Sequence, residues 1–271
     1  MEYNERTHDI ERSLTAEFHR SILSRFNKAV GDFRLIEDGD RICVCISGGK
    51  DSMLTAKLMQ EYKRHSGVSF ELEYLMLDPG YDEENMRICR ENLETLGIPA
   101  QIRETNIFRA AYREKKSPCF LCARIRRAEL FKAARELRCN KIALGHHFDD
   151  VIETTLMGMI YGGQMQTMLP RRKSEHFEGL ELIRPLYYVR EEDIFSWCGY
   201  NGLKFIRCAC RMTENRDASS SKRQEIKQLI AELKKINPQI ESNIFRSAQN
   251  VNVKNLISYK DENGLHCFMD S

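Results

Sequence analysis

Long apolar runs are missing from this chain. No stretch of its 271 residues approaches the 18 or so apolar positions a membrane-spanning helix needs, which argues against a membrane protein. Strong charge is missing as well. With 42 Lys and Arg against 40 Asp and Glu, the net charge is +2, so any nucleic-acid binding has to come from local patches. The polar, acidic opening "MEYNERTHDIERS" reads as neither a signal peptide nor a transit peptide, and the expected compartment is the cytoplasm. There is no internal repeat. The two common glycine-rich nucleotide loops, GxxxxGK[ST] and GxGxxG, are both absent. An apolar content of 42% does allow a sizeable core, in one large domain or one domain with small appendages.

What is present is an alternation. Residues 10 to about 33 carry Ile10, Leu14, Phe18, Ile22, Phe26, Val30 and Phe33 at steps of three or four, the mark of an amphipathic helix. Strands are expected at 41–47, 71–80, 99–107 and 141–150, with helices at 51–65, 82–97, 119–139 and 151–162 between and after them. Beyond residue 163 the pattern loosens into a basic polar loop at 168–179, a helix at 190–202, a turn-rich loop at 213–222 and an amphipathic helix at 222–236. The expected fold class is α/β: a Rossmann-like parallel sheet with helices on both faces and helical additions at both ends. The expected division is a helical segment 1–36, an α/β domain 37–190 and a C-terminal helical region 191–271. Ligands bind such sheets beyond the C-terminal strand ends. Two unusual segments, "SGGKDS" and "GHHFDD", fall at strand C-terminal ends and would share that rim.

A strand, then Ser47-Gly48-Gly49-Lys50-Asp51-Ser52, then a helix, suits an anion. The glycines let the backbone turn sharply and approach a phosphate. Successive N–H groups form a nest at the positive end of the following helix. Lys50 adds a full charge, Ser47 and Ser52 add hydroxyl donors, and Asp51 is placed to cap the helix or orient a metal or substrate. Asp78, Gly145 and Asp149 are further candidate nucleotide contacts. His146, His147, Asp149 and Asp150 are candidates to hold Mg²⁺ or touch the nucleotide. Zinc fits them less well, because adjacent histidines do not easily face one metal. The bland alternatives are a ligand-free glycine turn and a polar helix cap.

Of ten cysteines, Cys43, Cys45, Cys89, Cys139, Cys198 and Cys267 read as small buried hydrophobes, and a disulfide framework is not expected. Cys119-x-x-Cys122 opens a helix, and Cys208 and Cys210 follow far downstream. Four thiolates suit zinc, and three suit a [4Fe–4S] cluster with one open iron; spacing alone leaves both open. Arg124, Arg126 and Arg127 follow the CxxC and are the favoured RNA contacts, with "REKK" at 113–116 and "RRK" at 171–173 as lesser basic clusters.

The loop resembles the SGGxDS loop of the PP-loop family, the N-type ATP pyrophosphatases, whose fold is adenine nucleotide alpha-hydrolase-like. "SGGKDS", "PCFLCARIRR", "GHHFDD", a late cysteine and "FRSAQNV", in that order, resemble the tRNA 2-thiocytidine biosynthesis protein family over roughly residues 20–255. The resemblance implies ATP-dependent adenylation of C2 of a tRNA cytidine, with Lys50 and Asp51 catalytic and Mg²⁺ on the phosphates. It also implies sulfur delivery at a [4Fe–4S] cluster held by Cys119, Cys122 and a third cysteine, Cys208 or Cys210. This chain has "CAC" where the family has CxxC, and the preceding residues favour Cys208. Related thiouridine synthases carry zinc-binding cysteine pairs near the N-terminus, whereas residues 1–42 here contain no cysteine. Expected partners are tRNA and a sulfur donor such as a cysteine desulfurase; the apolar stripe of the first helix can pack either on its own core or on a second copy in a homodimer, and the sequence leaves both open. The competing readings are a PP-loop ligase acting on another base or a small molecule, with structural zinc on the cysteines, and a non-catalytic RNA-binding protein of the same fold.

Overall fold

The computed structural model describes residues 5–113, 118–206 and 222–270. Six strands make the main sheet: β1 (Arg41–Ile46), β2 (Glu71–Asp78), β3 (Gln101–Glu104), β4 (Lys141–Ala143), β5 (Arg171–Lys173) and β6 (Glu181–Ile183), in the order β3-β2-β1-β4-β6-β5. Every pairing is parallel except β5 with β6, so the expected parallel sheet holds, with an antiparallel edge added.

β1 shows why both faces are covered. Ile42, Val44 and Ile46 enter one apolar cluster, while Cys43 enters another, as the two-residue period of a strand requires. The first cluster takes in α3 (Lys50–His65), α4 (Glu83–Thr95), α8 (Glu191–Tyr200) and the N-terminal helices. The second takes in Leu130, Phe131, Ala133 and Ala134 of α6 (Pro118–Glu136).

The N-terminal stripe runs Ile10, Leu14, Phe18, Ile22, Phe26, Val30, one apolar residue in every four. In a regular α-helix each such step overshoots a full turn by about 40°, so the stripe would rotate away from the core. A π-helical turn, His19–Leu23, stands between α1 (Glu5–Thr15) and α2 (Ser24–Asp32). Its wider turn takes up the extra residue. All six side chains stay at 7% exposure or less. The expected single helix is therefore three helical pieces with one continuous buried face.

Other expectations shift. The strand expected to open 141–150 and run out into a polar loop ends at Ala143, but that loop is shorter than expected, since α7 (Phe148–Gly162) already takes in Asp149 and Asp150. The loop expected at 168–179 contains β5, which pairs with β6 across only three residues, too short to leave a periodic signal. A short helix, α5 (Ile107–Ala111), closes the turn after β3.

The described chain falls into two compact units. One holds the described residues up to Asp150 and from Leu169 to 206. The other holds Val151–Met168 and 222–270. In the second unit the helix Lys222–Ile236 anchors on α7: Arg223 Nε lies 2.6 Å from Glu153 Oε2, and Lys227 Nζ lies 3.5 Å from Glu153 Oε1. A helix at Ile240–Ser247 and a two-stranded hairpin, β7 (Ser258–Asp261) and β8 (Gly264–Cys267), complete that unit. No described helix is long and apolar enough to cross a membrane.

Candidate active site

β1 and β4 are neighbours, yet the chain leaves β1 toward β2 and leaves β4 toward β6. Their C-terminal ends therefore flank the place where strand order reverses. Sheets of this kind bind ligands in that crevice.

After β1 the chain turns through residues 47–49 into α3. Gly48 has φ +80°, and a Cβ there would stand 2.6 Å from Cys89 Sγ, so both conformation and space call for glycine. The serines shape the loop. Ser52 Oγ accepts the Ser47 N–H and the Ser47 hydroxyl, both at 3.1 Å, and donates to the Gly49 carbonyl at 2.9 Å. Asp51 stands in the first turn of α3, and Lys50 reaches toward it: Nζ lies 3.0 Å from Asp51 Oδ1 and 3.1 Å from Glu191 Oε1. Nζ also lies 4.5 Å from the centre of the Phe195 ring. Burial works against the Lys50 charge, but the carboxylates of Asp51 and Glu191 outweigh it and hold the ammonium pKa above its ordinary value.

The second motif abuts the first. A Cβ on Gly145 would stand 2.9 Å from both the Asp51 carbonyl carbon and the Ser52 nitrogen, so the backbone at Gly145 lies directly against the start of α3. Asp150 Oδ2 accepts the His147 N–H at 3.1 Å and caps α7. Asp149 Oδ2 accepts the Glu191 N–H at 2.7 Å, tying α7 to the first residue of α8. His147 is 3% exposed. Its Nε2 lies 3.5 Å from Asp150 Oδ2 and 3.9 Å from both Asp51 Oδ1 and Glu191 Oε1, and its Nδ1 lies 3.7 Å from Asp149 Oδ2. Asp78, at the end of β2, accepts the N–H groups of Gly80 and Tyr81, both at 2.8 Å. The Tyr81 hydroxyl donates to the Ser47 carbonyl at 3.0 Å, so this turn braces the loop.

Ser47 to Ser52, Gly145, His147, Asp149 and Asp150 thus converge on one crevice, with Asp78 behind it. Glu191 and Phe195 were not singled out from the sequence. Their one local signal was the acidic first turn "EED" of α8, which by itself says only that a helix begins. Among the described residues, no three His, Cys, Asp or Glu side chains form a ready metal site. Asp51 Oδ1 is shielded from solvent and 3.0 Å from the Lys50 ammonium, so a hard cation such as Mg²⁺ would share that oxygen with Lys50. The crevice therefore combines a held ammonium, the N–H groups opening a 16-residue helix, and several carboxylates, a set that suits a phosphate chain with its cation.

Cys119 and Cys122 are the second and fifth residues of α6, one helical turn apart; Cys122 is half-buried. Cys208 and Cys210 lie outside the described residues. Cys43, Cys89, Cys139 and Cys198 are free and buried, as expected; Cys45 and Cys267 are half-buried. On α6, Arg124 and Arg127 are exposed and Arg126 is half-buried. "RRK" is less available than its sequence suggests. Arg171 Nε lies 2.7 Å from Glu181 Oε2 and Nη1 lies 3.1 Å from Glu37 Oε2. Most of "REKK" lies outside the described residues.

The PP-loop domain family matches residues 15–233. The tRNA-cytidine(32) 2-sulfurtransferase of Syntrophotalea carbinolica is 36% identical over 247 residues, 89% of this chain and 94% of that protein. The protein of the same name from Vibrio cholerae is 38% identical over 242 residues, 87% of this chain and 75% of that one. This chain belongs to the tRNA 2-thiocytidine biosynthesis family of PP-loop proteins. Among solved structures, the U34-tRNA thiolase NcsA from Methanococcus maripaludis with its [4Fe-4S] cluster aligns with a TM-score of 0.66. That alignment covers 84% of this chain and 76% of that one at 23% identity, a likeness of fold. In this family member, the two motifs that meet at the switch point, "SGGKDS" and "GHHFDD", are those that carried the resemblance.

Proposed function

We propose that this chain is an ATP-dependent tRNA sulfurtransferase that forms 2-thiocytidine. The observation that carries the reading is the junction of the Ser47–Ser52 loop with the Gly145–Asp150 segment, in a chain that belongs to this family.

A pyrimidine C2 carbonyl is a poor electrophile and its oxygen a poor leaving group. Attack of that oxygen on the α-phosphorus of ATP releases pyrophosphate and leaves the oxygen bonded to AMP. Sulfide, as HS⁻, then adds at C2, the C2–O bond breaks with AMP departing, and loss of the S–H proton leaves the C2=S group. The loop N–H groups and Lys50 neutralise charge developing on the phosphates. Asp51, whose shielded Oδ1 also meets Lys50 at 3.0 Å, would hold Mg²⁺ there beside that ammonium. Glu191 and Asp51 keep Lys50 charged and aimed. Phe195 and the buried His147 line the same crevice and limit water around the reacting groups.

Cys119 and Cys122 supply two soft ligands on one helical turn, the donor chemistry a [4Fe–4S] cluster needs, with Cys208 or Cys210 as the third. When bound, the cluster supplies an open iron position for sulfide. Arg124, Arg126 and Arg127, on the same helix, are the proposed contacts to RNA phosphates. The sulfur comes from a separate donor such as a cysteine desulfurase, in the cytoplasm, with a thiol reductant supplying the two electrons that turn the donor's persulfide sulfur into sulfide.

The test has two parts. Anaerobic purification gives about four irons per chain and a broad visible absorption, both lost in Cys119→Ala. Incubation with ATP, Mg²⁺, a sulfide source and a tRNA transcript gives 2-thiocytidine on nucleoside digestion, and none when ATP is omitted. One tightly held zinc without iron, or no thiolated nucleoside, overturns the proposal.

A further inference from the structure

We infer that Arg184, together with Arg127 and Arg172, forms a phosphate subsite beside the crevice that takes a backbone phosphodiester of the RNA. This rests on the tRNA reading above and adds residues to it.

Arg184 directly follows β6. The Leu144 N–H donates to the Ile183 carbonyl at 3.0 Å, so Arg184 stands across from the residues that lead into Gly145 and His147. Its Nη1 donates to the Leu169 carbonyl. Its Nε is shielded from solvent and has no partner among the described residues. A guanidinium has five N–H donors, and a shielded one left unmade is costly. Two of the groups acting on it carry its own sign. Arg127 from α6 and Arg172 from β5 repel it, while Asp150 and Tyr187 favour its charge. Burial first, then the two arginines, pull its pKa below its ordinary value, to about 10.

An anion answers both defects. It gives the guanidinium an acceptor, and it screens three like charges from one another. Arg127 is exposed and forms no ion pair among the described residues. Arg172 pairs among the described residues with Glu175 at 2.5 Å, an exposed pair that a phosphate can displace at little cost.

The position favours RNA over the nucleotide. β6 is separated from β1 by β4, which puts Arg184 about 10 Å from the loop that already has its own cation and N–H donors. Arg127 also belongs to the helix that opens with Cys119 and Cys122. An RNA strand crossing the rim can place a target base in the crevice and a neighbouring phosphate on these arginines.

The experiment measures binding of an unmodified tRNA transcript across a salt series, and ATP binding separately, for the parent and for Arg184→Gln, Arg127→Gln and Arg172→Gln. Arg184→Gln is expected to weaken tRNA binding by roughly tenfold. Each variant should lower the slope of log affinity against log salt by about 1, with ATP affinity unchanged. The two exposed variants keep the test valid if Arg184→Gln fails to fold. Unchanged tRNA affinity and slope in all soluble variants would overturn the subsite while leaving the tRNA reading intact. A fall in ATP affinity with tRNA binding intact would reassign the arginines to the nucleotide and also overturn it. A parent protein that does not bind the transcript would overturn the tRNA reading, and the subsite with it.

Discussion

Glu191 Oε1 lies 3.1 Å from Lys50 Nζ, although 141 positions separate the two residues in the chain. The Glu191 N–H also donates to Asp149, so one residue at the start of α8 touches both motifs of the crevice. Its carboxylate holds the ammonium in place and at the same time offsets part of the positive charge a polyphosphate would feel. Glu191→Gln keeps the size and removes that negative charge. ATP binding measured by calorimetry without divalent cation should tighten by roughly fivefold, the scale of one screened charge at this distance. Weaker binding in the variant would mean that aiming Lys50 matters more than local charge.

Gly145 is the sharper steric test. A Cβ there would lie 2.9 Å from the backbone of Asp51 and Ser52, and neither atom can swing aside like a flexible side chain. Gly145→Ala must push the start of α3 away from residue 145 or unwind its first turn. The expected cost is about 1–3 kcal/mol in urea unfolding, with ATP affinity lowered at least tenfold. Gly48→Ala differs, because its nearest atom is the Cys89 sulfur at 2.6 Å. Adding Cys89→Ala should recover part of the lost stability but not all of it. The φ of +80° still costs a non-glycine residue about 1 kcal/mol. Full ATP affinity in Gly145→Ala would show that the two motifs do not need this contact.

The parts of this site that could be read from the sequence are the local ones. Ser47 to Ser52 announce themselves because glycine, lysine and serine fall between an apolar strand and a helix, and "GHHFDD" because it interrupts an apolar run. Glu191 could not be found that way. Its role depends on α8 folding back against α3, a tertiary fact that an acidic helix start does not encode. β5 and β6 escaped because three-residue strands show no alternation, and β5 reads "RRK", a composition that looks like a loop. The π turn escaped for a different reason. The four-residue repeat of the apolar stripe was visible, but reading it as one regular helix ignored the rotation that such a repeat accumulates.

The N-terminal helices are bound into the α/β unit by a buried ion pair. Lys57, 1% exposed, donates to Glu11 Oε1 at 2.6 Å, to Gln60 Oε1 at 2.7 Å and to the Leu96 carbonyl at 2.8 Å. Burial presses its pKa down against the attraction of Glu11. Glu11→Ala would leave that ammonium without its closest charge partner. Breaking one side of such a pair costs about 3–5 kcal/mol. Urea unfolding of the variant should show a loss of that size, and Glu11→Ala with Lys57→Met should regain much of it. A loss below about 1 kcal/mol in the single variant would mean that the helices are held by the apolar stripe alone.

Two buried thiols near the loop should make the fold sensitive to alkali. Burial, helped by the Asp78 charge, pushes Cys89 from 9.0 up to about 11. Burial pushes Cys198 up to about 12, with Lys50 pulling the other way. A thiol with a raised folded pKa keeps its proton in the folded protein after the unfolded chain has lost it. Stability is therefore intact below pH 9 and falls as pH climbs toward 11 and 12. By pH 10.5 the loss should reach about 2 kcal/mol per thiol. Lysines titrate over the same range in parent and variant alike, so the informative quantity is the difference between the two pH profiles. The Tm of the parent should fall more steeply between pH 8.5 and 10.5 than that of the Cys89→Ala, Cys198→Ala double variant. Parallel profiles would show that these thiols ionise as readily in the folded protein as in the unfolded chain, and that the packing around the loop admits water.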